Sequence, residues 1–151
     1  MSPMEKKAWL SIMDVGVRNV LKRLQEEEVA LQESRQADTK SSAGDKHETA
    51  RAMIDQELQR LNHQKDKTLR DQAELQKITN SACDRAERGA AVETDRIIYF
   101  ISISFGKLPV KESKPVYALS PISPAAQAMI GKRAGEAFEV NGLKQVILAV
   151  Y

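Results

Sequence analysis

Asp45 and Glu48 are the side chains whose type and spacing most invite chemistry. They stand in Gly44-Asp45-Lys46-His47-Glu48, directly after the small-residue run Ser41-Ser42-Ala43. Acids spaced by three share one face once the backbone is helical. Exposed together, they suit a hard cation such as Mg²⁺, which takes oxygen ligands and keeps several waters. Two carboxylates alone make a poor site. They fit a partial set completed by another protein, as in a two-metal phosphodiester reaction, where the second ion needs ligands and the attacking water needs orientation. The same spacing is also a capping box, with Asp45 accepting backbone N–H groups and Glu48 reaching back. Acids there favour the helix dipole as well. Ser42 is an alternative cap that would free both acids, so the two readings stand side by side. His47 adds a nitrogen donor, but no further ligand of suitable spacing makes a zinc set. Lys46, His47 and Arg51 flank the pair and balance its charge.

These acids need an element to hold them out. From about Glu5 to Gln36 there is no Pro and one Gly, and Leu10, Met13, Val17, Val20, Leu24 and Leu31 follow a heptad seam. From Asp45 to about Arg88 there is again neither Pro nor Gly. There the seam reads Ile54, Leu58, Leu61, Lys65, Thr68, Gln72, Leu75 and Ala82, with Leu69 and Ile78 widening it. Folding at Ser41–Gly44 sets Leu31 near Ile54, Leu24 near Leu61 and Leu10 near Leu75. The expectation is an antiparallel coiled-coil hairpin over residues 1–89, on the order of 50 Å long, with its tip at 37–48. Asp45 and Glu48 then stand at that tip.

At Gly89 the pattern changes to β-branched and aromatic alternation. Ile97, Tyr99, Ile101, Ile103 and Phe105 share one face; Ile98, Phe100, Ser102 and Ser104 share the other. Thr94-Asp95 suits a tight turn, and a strand follows Pro115. Ser123 caps a short helix that Pro124 starts and Gly131 ends. Asn141-Gly142 is a strong hairpin signal. Residues 90–151 therefore read as a small antiparallel β domain with one short helix, and the whole chain as α+β.

Charge supports this division. Residues 1–90 hold 16 Lys+Arg against 16 Asp+Glu, and residues 91–151 hold 7 against 5. Dense but balanced charge suits a solvated helix pair rather than a dedicated nucleic-acid binder. Aromatics are only 5% of the chain, a thin supply for one large core. The single cysteine, Cys83, excludes an internal disulfide and fits a reducing compartment. There is no membrane-span stretch and no signal-like N-terminus. A cytoplasmic monomer is expected. Gly131-Lys132 is no phosphate loop, because no glycine-rich turn precedes a Lys-Ser/Thr pair.

Two segments together resemble the GreA/GreB transcript-cleavage factors of bacterial RNA polymerase. Gly44-Asp45-x-x-Glu48 is similar to the family's G-D-x-x-E tip motif. Leu119–Val140, "LSPISPAAQAMIGKRAGEAFEV", is similar to its S-P-x-(x)n-I-G-K-x-x-G-(D/E)-x-x-x-V segment. The resemblance implies a coiled coil that enters the polymerase secondary channel, followed by an FKBP-like domain. It implies that Asp45 and Glu48 hold Mg²⁺ shared with the polymerase, with no stably bound cofactor. Lys46, His47 and Arg51 become contacts to the polymerase or the RNA 3′ end. Ser120, Pro121, Ile122, Ser123 and Lys132 become docking residues. The polymerase then cuts backtracked RNA, and the chain itself is not an enzyme. Departures exist: Thr49-Ala50-Arg51-Ala52 stands where the family commonly has N-A-E-Y, and the β domain is short. They keep alive a second outcome, a channel-binding regulator that inhibits transcription or competes with cleavage factors.

Overall fold

The computed structural model describes residues 3–40 and 45–151, with side chains described over 5–37 and 48–151. The expected bend at Ser41–Gly44 lies outside the described residues. Two long helices come first, α1 (Pro3–Lys40) and α2 (Asp45–Lys77). The strands are β1 (Ala91–Thr94), β2 (Ile98–Ile101), β3 (Gly106–Lys107), β4 (Val116–Leu119), β5 (Ala137–Val140) and β6 (Leu143–Val150). A short helix α3 (Pro124–Met129) lies between β4 and β5. The chain divides into two units: Val15–Gln72, and Met1–Asp14 together with Ala73–Tyr151.

The Val15–Gln72 unit is two packed helices. Leu24 and Leu61 are fully buried, and Val17 and Thr68 nearly so. Thr68 is tolerated there because its hydroxyl donates to the Gln64 carbonyl, 2.8 Å away. Val20, expected on the seam, is exposed, while Leu21 beside it is half-buried. A helix of 3.6 residues per turn drifts off a strict heptad stripe, and here the drift rotates Val20 outward. Leu69 is likewise exposed. Charge pairs supplement the thin apolar seam. Arg35 Nε lies 2.8 Å from Asp55 Oδ1, and Lys65 Nζ lies 3.2 Å from Glu28 Oε2.

The second unit carries a six-stranded sheet in the order β3-β4-β2-β1-β6-β5. The sheet is mixed, which corrects the all-antiparallel expectation. β2 and β4 run parallel, with Ile98 opposite Val116 and Ile101 opposite Leu119. The connection from Ser102 to Pro115 is long enough to bring the chain back alongside β2 in the same direction, as parallel pairing requires. β2 is buried on both faces. On one, Phe100 meets Trp9 edge to face at 5.6 Å, and Ser102 Oγ lies 3.7 Å from Met13 Sδ. On the other, Tyr99 and Ile101 join Val92, Ala126, Met129, Phe138 and Ile147. The first turns of α1 thus belong to the core of the sheet unit.

α2 stops at Lys77, short of the Arg88 that an unbroken pattern suggests. Ile78 N–H bonds back to the Leu75 carbonyl at 3.1 Å, tightening the last turn. Thr79 Oγ1 then lies 3.0 Å from Ser81 Oγ and accepts from Ser81 N–H at 3.4 Å. Such hydroxyls offer the backbone an alternative to the helix ladder. The chain from there to Ala90 packs on the sheet unit, where Ala86 exchanges hydrogen bonds of 2.8 Å with Gly131 and Lys132.

Candidate functional site

α2 is helical from Asp45 onward, so Asp45 and Glu48 stand three apart in its first turn. Glu48 is exposed and Arg51 half-buried. The side chains of Asp45, Lys46 and His47 lie outside the described residues. Among the described residues, no three His, Cys, Asp or Glu side chains converge as a metal site. Two carboxylates at one turn amount to only part of the oxygen shell that a hard cation takes.

The second predicted region surrounds α3. Ser123, at φ −65° and ψ 152°, caps the helix by accepting from Ala126 N–H at 3.2 Å. Its own hydroxyl donates to the Ser120 carbonyl at 2.8 Å. The Pro121 carbonyl accepts from Gln127 Nε2 at 2.7 Å. These bonds fix a tight turn on which Ile122 is left 84% exposed, the most exposed large apolar residue among those described. Lys132 follows the other end of α3, past Gly131 at φ +85°. Its ammonium donates to the Ala137 carbonyl at 2.8 Å. The structure thus gathers Ser120, Pro121, Ile122 and Ser123 into one turn and puts Lys132 beyond the opposite helix end. Ser123 and Lys132 both have local structural work, whereas Ile122 has none.

The sequence reading passed over Lys6. It is fully buried. Its Nζ donates to the carbonyls of Ser81 at 2.8 Å and Tyr151 at 3.1 Å, and lies 4.0 Å from Cys83 Sγ. Burial pulls its ammonium below the usual lysine range, partly offset by the charges of Cys83 and Glu87. A signal was present: Lys6, Trp9, Met13 and Val17 are spaced 3, 4 and 4, so Lys6 shares the buried stripe. A buried trio was also missed. The Tyr99 hydroxyl and Thr94 Oγ1 lie 3.1 and 3.2 Å from Gln145 Oε1. Burial raises the Tyr99 phenol above its ordinary range. The polar atoms of the trio satisfy one another inside the core, which makes it a structural feature.

No protein-family model matches this chain, and a search of curated proteins returns no significant relative. Among the described residues no helix is long and apolar enough to cross a membrane.

Proposed function

We propose that the chain is a Gre-like transcription elongation factor. The observation that carries this reading is the start of α2 at Asp45, which sets the two acids of the Gly44-Asp45-x-x-Glu48 motif in one helical turn with Glu48 exposed. The helices form an antiparallel hairpin that enters the polymerase secondary channel. Support comes from the two cross-helix ion pairs: Glu28 meets Lys65, while Arg35, further along α1, meets the earlier Asp55. The sheet unit is read as a shortened FKBP-like domain. The exposed Ile122, on the turn that Ser120, Pro121 and Ser123 build, docks on the polymerase, and Lys132, past the other end of α3, adds a charged contact. Asp45 and Glu48 complete the oxygen shell of a Mg²⁺ ion shared with the polymerase and orient the attacking water. The polymerase performs the cleavage. The factor acts as a cytoplasmic monomer.

The test is RNA cleavage by stalled elongation complexes. Addition of the chain is expected to stimulate cleavage, and Asp45→Asn with Glu48→Gln to return it to the level of polymerase alone. Equal stimulation by both versions overturns the role of the acids. Arg51, a base in the turn after Glu48, favours a second reading: a regulator that occupies the channel without promoting cleavage. Binding with inhibited transcription, indifferent to the acid substitutions, supports that second reading.

A further inference from the structure

Lys6 and Cys83 carry an inference that does not depend on the transcription reading. Lys6 brings a buried amine to the chain's single thiol, at 4.0 Å. Its Nζ is held by the main-chain oxygens of Ser81 at 2.8 Å and Tyr151 at 3.1 Å, which fixes it beside Cys83. Cys83 itself is half-buried, and so reachable by a small oxidant.

The geometry points to a modification site: Lys6 Nζ and Cys83 Sγ form a covalent N–O–S bridge when the protein meets dioxygen. One oxygen atom between the two suits the gap better than a direct S–N bond, which demands a closer approach. The reaction balances with one dioxygen. An S–O and an N–O bond form; the S–H bond, one N–H bond and the O–O bond break. The second oxygen leaves as water with those two hydrogens. Sulfur and nitrogen each give up two electrons, and dioxygen takes the four. Burial lowers the Lys6 ammonium and raises the Cys83 thiol, each group's charge opposes the other's shift, and the charge of nearby Glu87 raises both. The bridge ties the start of α1 to the segment between α2 and β1.

The full chain, purified under reductant in dioxygen-free buffer and then exposed to dioxygen, provides the test. Proteolysis and mass spectrometry are expected to find the Lys6 peptide joined to the Cys83 peptide. The pair should be one oxygen heavier and two hydrogens lighter than the separate peptides, and dithiothreitol should release it. Because the link spans 77 residues of chain, the oxidised protein should melt about 5 °C higher than the reduced one. Cys83→Ser, a mild change at a half-buried position, should abolish both effects. Wild-type chain oxidised in urea should give no bridge, since the pairing depends on the fold. A thiol that stays free, a sulfinic acid or intermolecular disulfide with Lys6 unmodified, or a link lacking oxygen overturns the proposal.

Discussion

Lys6 shows how one side chain can carry both a cost and a purpose. Its side chain is fully buried, and its ammonium donates to the main-chain oxygens of Ser81 and Tyr151. Its folded pKa lies below the ordinary 10.5, chiefly through loss of hydration. Between the folded and unfolded values the unfolded chain therefore binds more protons, so stability rises with pH on the approach to 10.5. Cys83 and Tyr99 are shifted upward and act in the opposite sense, losing stability as pH climbs past their ordinary values of 9.0 and 10.0. In a Cys83→Ser background, urea unfolding followed up to pH 10.0, below the tyrosine window, should isolate the lysine. The rise is expected there, and Lys6→Met in the same background should flatten it. An unchanged slope would assign it elsewhere. Trp9 is the apolar counterpart. It is 1% exposed and packs edge to face on Phe100, so Trp9→Ala should cost about 3–5 kcal/mol. Circular dichroism should follow that unfolding, because the substitution removes the only tryptophan.

At the scale of elements, the features that sequence revealed are those decided by a few neighbouring residues. Ser123, Pro124 and Gly131 bound α3 where capping chemistry puts them. Asn141 and Gly142 take φ of 53° and 77° and join β5 to β6, as a two-residue hairpin requires. Ser123→Ala should therefore lower stability by about 1 kcal/mol, whereas Ser123→Asp, which keeps a capping oxygen, should retain most of it. Gly142→Ala tests the turn more sharply. An added Cβ there meets nothing within 4 Å, so any loss is conformational, about 1 kcal/mol for a left-handed residue. Denaturant midpoints at constant slope would check both. What escaped the sequence was decided by distant partners. The direction of β4 depends on how the Ser102–Pro115 connection returns, which no local pattern encodes. The end of α2 at Lys77 depends on a docking place for Ile78 and Ala86 in the sheet unit. The acid pair stood out as a motif, whereas the buried Lys6 did not, because a lysine near the start of a charged helix looks solvated until its stripe is traced.

Across the whole molecule the two units draw on different forces. The sheet unit buries Trp9, Met13, Val92, Phe100, Ile101, Leu108, Val116, Met129 and Ile147 almost completely. In the Val15–Gln72 unit the fully buried apolar side chains among those described are Leu24 and Leu61, with Val17 close behind. Its ion pairs are half-exposed: the Arg35 and Asp55 side chains keep 41% and 47% of their surface. Exposed pairs contribute at most about 1 kcal/mol each and weaken with salt. Helices owe their stability mostly to a packed face, so this unit should open first. Native-state hydrogen exchange should show the α1 and α2 amides within Val15–Gln72 exchanging before those of β1, β2 and β6. Leu61→Ala, which removes one of the two fully buried leucines at a cost of about 2–5 kcal/mol, should widen that difference. Helix protection should collapse while strand protection holds. Equal loss of protection in the strands would show instead that helices and sheet unfold as one cooperative structure.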